Sequence, residues 1–369
     1  MKKLTVLLAF VMLFCSSCTV VPHLAEYEGE GPLPSYMTLL YPDTSSGEYA
    51  VLLRSYDKTS SVIALADEIG GEMTNIYTCP DTAAVYEIYA KDGTVAFFEV
   101  TAYTNGYYGY ELNVLETAKG EVVHHDNVYS KTVTREGDVQ TRFVAVFDGC
   151  VYYLTSSVSL ERCRIMKYDT KTRALTEYIS FPMTENDVTF GHSCTFIKES
   201  NGYLICSYID GANQFIRTYN LRTGNLITEK PLPDNVGVVY CADHDPDTGV
   251  YAVYYGALGK TGELETEYLA YSTESDSALH TVYEVAGDVY VCRESVALCN
   301  NLIYFNLECV SEKKPYDGFV GVLYNLTDGK TISFTASCQT WIDGSAVYNL
   351  SFAKRQGYDK MILKKTVIE

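Results

Sequence analysis

The chain has 369 residues, of which 47% are apolar, 20% charged and 13% aromatic. This apolar content predicts a folded globular protein and excludes a disordered or low-complexity chain. Lys and Arg total 28 against 47 Asp and Glu, which gives a net charge of −19. Because no basic excess exists to displace counterions from phosphates, we expect no nucleic-acid partner.

The N-terminus has the layout of an export signal. Residues 2–3 are lysines, and residues 4–14 form an apolar run that is too short to span a bilayer. Two small residues, serines 16–17, then precede Cys18. This segment resembles the lipobox of bacterial lipoproteins, in which the Cys after the cleavage point receives the lipid. An ordinary secreted protein in which Cys18 is incidental is the alternative.

The resemblance implies a signal peptide at 1–17, lipidation of Cys18 and a position on the outer face of the bacterial cell membrane or envelope. Residues 18–35 contain closely spaced Glu, Gly and Pro, which predicts a polar tether before the domain 36–369. Loss of the signal peptide changes the net charge from −19 to −21. Since an anionic lipid surface repels such a domain, the N-terminal lipid is the predicted membrane contact.

After residue 35 the sequence alternates between short apolar strands and turns. Runs of Tyr, Val, Ile, Phe and Leu are separated by Gly, Asp and Asn, and we find no amphipathic helical pattern. The turn Asp148-Gly149 has the residues of a two-residue hairpin, which needs positive φ. The unit around it predicts four antiparallel strands, at 142–147, 150–156, 163–168 and 174–180.

Similar units recur about every 50 residues, a period typical of repeat architectures. Their first turns lie at Gly47, Gly93, Gly149, Gly202, Gly249, Asn300 and Gly344. The repeat predicts an all-β protein, a β-propeller of four-stranded antiparallel blades, seven in number with six or eight left open. In the last unit, either residues 366–369 or residues near the N-terminus supply the fourth strand.

Segments 168–172 and 220–224 resemble the turns of bacterial secreted propellers with quinoprotein-like and kelch-like repeats. That resemblance implies the architecture and no particular activity. No Gly-x-Ser-x-Gly elbow is present, because the nearest string, 191–195, ends in Thr. We therefore predict no catalytic residue and no cofactor.

Three aspartates form the candidate metal site. Asp243, Asp245 and Asp247 are spaced two apart and could surround Ca²⁺, although a solvated hairpin turn explains the same residues. A second string, His124-His125-Asp126, is better explained by surface or turn histidines than by metal ligands. We likewise interpret His244 as a surface or turn histidine.

Tyr103, Tyr107 and Tyr108 are the candidate ligand contacts, because their Asn-Gly setting predicts a loop that presents aromatic rings to sugars or peptides. The chain has twelve Cys. Apart from Cys18 and one Cys in the signal peptide, we expect mostly buried free thiols, with Cys150 and Cys163 the best disulfide pair.

These features predict an exported, lipid-anchored propeller that serves as a binding or scaffolding module for a protein or glycan partner. A propeller enzyme acting on polysaccharide, either a glycoside hydrolase or a lyase, is the first alternative and would need paired carboxylates in the channel. An inert structural protein of the envelope is the second.

Overall fold

In the computed structural model, the described residues begin at Tyr36 and end at Val367. The residues outside the description are 1–35, 44–47, 56–60, 67–72, 81, 104–106, 120, 134–138, 158–161, 183–195, 211–212, 287–288, 293–294, 310–318, 337–338, 344–345, 356–357 and 368–369. Among the described residues, no helix is long and apolar enough to cross a membrane.

The described strands form seven antiparallel sheets in chain order. The first two sheets contain β1 (Tyr36–Asp43), β2 (Glu48–Ser55), β3 (Ser61–Ala66), β4 (Met73–Thr78), β5 (Ala83–Lys91), β6 (Thr94–Tyr103), β7 (Tyr107–Ala118) and β8 (Glu121–Val133). The third and fourth contain β9 (Val139–Phe147), β10 (Cys150–Ser157), β11 (Arg162–Asp169), β12 (Ala174–Pro182), β13 (Ile197–Ser200), β14 (Tyr203–Asp210), β15 (Asn213–Asn220) and β16 (Leu226–Pro231). The last three contain β17 (Val236–Asp245), β18 (Val250–Leu258), β19 (Leu264–Thr273), β20 (His280–Glu284), β21 (Val289–Val291), β22 (Ala297–Cys299), β23 (Leu302–Cys309), β24 (Phe319–Asn325), β25 (Thr331–Ala336), β26 (Gln339–Asp343), β27 (Ala346–Arg355) and β28 (Tyr358–Val367).

The sheets are arranged as the blades of a β-propeller. Each of the first five is a four-stranded meander, and the first strands of consecutive sheets contact one another from β1 through β5, β9, β13 and β17 to β22. First strands therefore lie on the inside of the ring and last strands on the outside. The predicted fold class is confirmed.

The last two sheets differ from the predicted four-stranded unit. In the sixth, β21 and β22 both pair with β23, so the inner strand is divided into two short pieces. The seventh has three strands, and β28 continues to Val367. Residues 366–367 belong to this third strand, so the prediction that 366–369 form a fourth strand is wrong. The other alternative, completion by residues near the N-terminus, concerns residues outside the description.

The core consists of hydrophobic layers between consecutive sheets. One layer joins Tyr152 and Phe181 of the third sheet to Leu204 and Cys206 of the fourth. Another joins Tyr251 and Val253 of the fifth sheet to residues of the fourth. Each strand of such a layer packs on both faces, which explains the nearly continuous apolar runs of the inner strands.

Most of the described cysteines are buried, as predicted, and none of the following six forms a disulfide. Cys79, Cys150, Cys206, Cys241 and Cys299 are buried, and Cys292 is partly exposed.

The predicted disulfide is wrong, because Cys150 is free. In the β10–β11 pair, Cys150 lies opposite Asp169, and Cys163 lies opposite Ser156. The two residues therefore lie at opposite ends of the hairpin, with their backbones about 20 Å apart at the usual rise of a strand.

Candidate binding surfaces

The first and third connections of each sheet lie at the same end of the molecule, which we call the turn face. It includes the turns at Gly93, Gly149, Gly202, Gly249 and Asn301. The second connections and the sheet-to-sheet connections lie at the opposite end, which we call the loop face. The two faces differ in the length of their connections, because the longest ones lie at the loop face.

Backbone hydrogen bonds join the two turns of five sheets on the turn face. A peptide N–H at the third turn donates to the carbonyl of the first turn in the second to sixth sheets: Thr117 to Gly93 (2.7 Å), Thr170 to Gly149 (3.0 Å), Leu221 to Gly202 (3.0 Å), Glu274 to Gly249 (2.8 Å) and Leu326 to Asn301 (2.9 Å). Asp148 and Gly149 have φ of 51° and 69°, which confirms the predicted primed hairpin. The turn face is therefore a fixed frame.

Side chains also join the second, third, fourth and fifth sheets to one another at the same face. Arg173 Nη1 lies 2.8 Å from Asp126 Oδ2 of the preceding sheet. Tyr178 donates its hydroxyl to the carbonyl of Leu221 in the following sheet at 2.7 Å. Lys230 Nζ donates to the carbonyl of Thr273, again in the following sheet, at 2.9 Å. The three junctions therefore use an ion pair, a hydroxyl–carbonyl bond and an ammonium–carbonyl bond.

A buried ion pair connects the inner strands of the fourth, fifth and sixth sheets. Lys198 Nζ lies 3.0 Å from Asp243 Oδ2 and donates to the carbonyl of Val296 at 2.7 Å. The Asp243 carboxylate also accepts the backbone N–H groups of His244 and Leu298, each at 2.9 Å. Burial opposes the charge of Lys198, but the combined effects of Asp243, Cys241 and Glu199 outweigh it, so the pKa of Lys198 is raised.

A second inner carboxylate, Glu199, is also held by several partners. It accepts the backbone N–H of Gly202 at 2.8 Å and the hydroxyl of Tyr89 at 3.3 Å, and Lys91 Nζ lies 4.0 Å away. Its side chain is only 6% exposed. Both inner carboxylates thus have the partners that buried structural charges require.

The three aspartates of the predicted calcium site lie in different settings. Asp243 is in the buried ion pair, whereas Asp245 Oδ1 accepts the N–H of Asp247 at 3.0 Å within the hairpin turn. Asp247 is exposed. Among the described residues, no three His, Cys, Asp or Glu side chains are grouped to hold a metal ion. The structure therefore does not assemble these carboxylates around a common point.

His244 is a core residue, which corrects its assignment as a surface or turn histidine. Its side chain is fully buried, its Nδ1 lies 2.9 Å from Thr218 Oγ1, and its ring stacks on Tyr251 at 3.9 Å. Burial lowers its pKa from 6.5 to about 4. The other two predicted histidines lie on the outer strand β8, with His124 beside Asp126 and His125 beside Asn113.

The three candidate ligand tyrosines lie at the loop face. Tyr103 is the last residue of β6, opposite Tyr107, and Tyr108 follows in β7 opposite Ala102. The prediction that they lie in a loop is wrong, because both strands extend to the hairpin end. The structure describes the strands that contain these three tyrosines but not the positions of their rings.

Exposed aliphatic side chains recur at one position of the repeat, which the sequence analysis did not detect. They lie at the start of the outermost strand in the second, third and fourth sheets, directly after the third turn. We call this set the turn-side rim: Val122 (36% exposed), Val123 (62%), Leu175 (42%), Leu226 (47%) and Ile227 (47%). A signal existed, since aliphatic residues follow a polar turn within the first three residues of β8, β12 and β16.

No protein-family model matches the chain, and no curated protein matches it either. Among solved structures it is similar to an uncharacterized protein from Listeria monocytogenes EGD-e, with a TM-score of 0.50 and 11% identity over 87% of this chain and 91% of that one. It is also similar to the β-propeller domain of the Trilobed protease from Pyrococcus furiosus, with a TM-score of 0.47 and 9% identity over 78% and 84% of the two chains. A third is the Dos1 propeller, with a TM-score of 0.48 and 10% identity over 93% and 95%. Similarity at this identity concerns the fold alone.

Proposed function

We propose that this protein is an exported, lipid-anchored β-propeller that binds or scaffolds a protein or glycan partner at the cell envelope. The observation that carries the proposal is the length of the connections at the loop face. Backbone hydrogen bonds are present at both faces, but the loop face holds the long connections from Pro182 to Ile197 and from Cys309 to Phe319. Loops of variable length on a rigid frame are where protein scaffolds place ligand contacts.

The three tyrosines at the β6–β7 hairpin are the proposed contacts on this face. Tyr103, Tyr107 and Tyr108 lie at the hairpin end, where an aromatic ring can stack on a sugar or a peptide and its hydroxyl can bond a polar group. The enzyme alternative draws no comparable support from the described residues. The two inner carboxylates, Glu199 and Asp243, are already engaged by lysine and backbone partners.

The proposed anchor is tested by membrane fractionation of cells that express Cys18→Ala. We expect this variant to leave the membrane fraction, because the lipid is the proposed attachment. Cys15→Ala is the matched control, since it changes a neighbouring Cys of the signal segment and should leave retention unchanged. Retention of the Cys18→Ala protein would contradict the anchor.

The proposed partner site is tested by copurification of the full-length chain from its native envelope. We expect Tyr107→Ala/Tyr108→Ala to lose a partner that the unchanged chain retains. A turn-face variant, Asn201→Asp, provides the control. Retention of the same partners by all three proteins would contradict a loop-face site.

A further inference from the structure

We propose that the edge of the seventh sheet binds residues 24–30 of the same chain, which then form its fourth strand. Among the described residues, β28 pairs with β27 alone, whereas each of the first five sheets has a fourth strand beside its third. An edge strand presents a row of backbone N–H and C=O groups that another strand can pair. With ten residues, β28 offers a long edge of this kind.

Strand direction indicates which segment fits this edge. In the first five sheets the fourth strand runs from the turn face to the loop face, where a connection leads to the first strand of the next sheet. Val367 lies opposite Ala346 at the turn face, so a strand antiparallel to β28 must run in the same direction as those fourth strands. Because β1 begins at the loop face with Tyr36, the segment that precedes it arrives with the required direction.

Spacing along the chain agrees with this assignment. Residues 31–35 would connect the new strand to β1, and the connection 134–138 between β8 and β9 has the same length. The length of the segment 24–30 lies within the range of the fourth strands, from five residues in β20 to 13 in β8. Pro22 and Pro32 flank the segment, and proline is normally found outside the paired part of a strand.

Opposite charges favour one register for the pair. The segment has Glu at positions 26, 28 and 30, and the sequence of β28 contains three Lys. If Glu26 lies opposite Lys364, then Glu30 lies opposite Lys360, because both spacings are four residues. Asp359, the carboxylate in β28, is then opposite residue 31, beyond the new strand. Since opposite charges directly across two strands stabilise their pairing, we assign this register.

The bound segment would also orient the domain on the membrane. Residue 24 begins the new strand at the turn face, and residues 19–23 separate it from Cys18, the proposed lipidation site. A chain of that length spans at most about 20 Å, so the turn-face end of the seventh sheet lies close to the bilayer. The loop face and its proposed partner contacts then point away. This orientation rests on the proposed lipid anchor, whereas the strand pairing does not.

Cysteine crosslinking tests the pairing and its register in the full-length protein. We expect Glu26→Cys/Lys364→Cys to form an intramolecular disulfide on mild oxidation, because Cα atoms directly opposite each other lie about 4.5 to 5.5 Å apart. Glu26→Cys/Lys360→Cys is the matched control, since residue 360 lies about 13 Å further along β28. Peptide mass spectrometry distinguishes these bonds from any that involve native cysteines. We expect a yield about tenfold higher for the first pair. Equal yields, or no bond between 26 and 364, would overturn the proposal.

Hydrogen exchange of β28 tests the same pairing without new cysteines. Alternate amides of an antiparallel strand point to opposite sides, so half of those in β28 point away from β27. We expect Ala25→Pro/Glu28→Pro to make these edge amides exchange at least about tenfold faster, because one of the two prolines removes an N–H that points to β28. Leu33→Pro, in the connection to β1, is the control and should leave their exchange unchanged.

The result is independent of the proposed function. If the lipid anchor were wrong, Cys18→Ala would stay in the membrane while the 26–364 disulfide still formed, and an error in the partner site would leave that disulfide intact. Failure of the pairing would leave membrane retention through Cys18 unchanged. We expect slow exchange of the edge amides of β28 in the unchanged protein, and exchange as fast as that of an open edge would overturn the proposal.

Discussion

At the scale of single residues, Gly202 shows how one turn position controls the contact between two sheets. Its φ is +83°, and a Cβ there would lie 2.7 Å from Phe147 Cζ in the preceding sheet. Lys91 Nζ lies 5.7 Å from the centroid of the Phe147 ring, and the guanidinium of Arg222 lies 5.6 Å from it. Any side chain at residue 202 therefore conflicts with both the backbone conformation and the packing.

We expect Gly202→Ala to lower the free energy of unfolding by about 3 kcal/mol, because it combines left-handed strain with overpacking. Gly262 is the matched control. Its φ is +81° and nothing lies within 4 Å of a Cβ placed there. Gly262→Ala should cost only the backbone strain, about 1 kcal/mol. Thermal unfolding midpoints measure both, and equal losses would contradict the packing argument.

His244 predicts a pH dependence of stability. Because burial lowers its pKa from 6.5 to about 4, the unfolded chain binds the proton more readily than the folded protein between these values. Stability is thus fully present above pH 6.5 and falls as the pH drops toward 4, by up to about 3 kcal/mol. Thermal unfolding across this pH range measures the loss.

The variant His244→Gln lacks this titration, so its midpoint should change less over the same range. His280→Gln serves as the control, since His280 is 49% exposed beside Asp276. If the unfolding midpoint of the wild-type protein changed with pH in parallel with that of His244→Gln, the pH dependence would not come from the buried imidazole.

At the scale of elements, the Lys198–Asp243 pair joins β13 to β17 and β22. Asp243 accepts two backbone N–H groups as well as the ammonium, whereas Lys198 has the carbonyl of Val296 as its other partner. Loss of the carboxylate therefore leaves more groups unpaired than loss of the ammonium. Asp243 therefore satisfies more polar groups than Lys198 does.

We expect Asp243→Ala to destabilise the protein by about 3 to 5 kcal/mol, and Lys198→Met by less, about 2 kcal/mol. The double variant should recover part of the loss of Asp243→Ala, because no buried charge is then left without its partner. Denaturant titration measures all three. Asp148→Asn is the control for an exposed pair, since Asp148 and Arg222 are 59% and 68% exposed, and it should change stability little. Strictly additive single effects would contradict a coupled pair.

Local patterns in the sequence predicted the strands well and the contacts between sheets poorly. The unit 142–181 was predicted to within three residues at each strand end, because turn residues and apolar runs are local signals. The predicted Cys150–Cys163 disulfide was wrong because the local sequence does not show which residues of two paired strands lie opposite each other. The Lys198–Asp243 pair was missed because it needs knowledge of which sheets are neighbours, although an Asp inside the run from Val236 to His244 was a signal.

At the scale of the whole molecule, the repeat builds two faces with different properties. The fixed turn face carries the aliphatic rim, and the loop face carries the long connections and the tyrosine hairpin. Sequence patterns predicted the ring but not this division, because side-chain exposure depends on how adjacent sheets pack.

The central claim, a partner bound at the loop face, is tested most directly by photo-crosslinking from position 107 in the native envelope. Tyr107 begins β7 at that face. We predict a discrete, saturable protein or glycan adduct from position 107 and none from position 148, in a turn of the opposite face. Only lipid adducts from position 107, or the same adduct from both positions, would contradict the account.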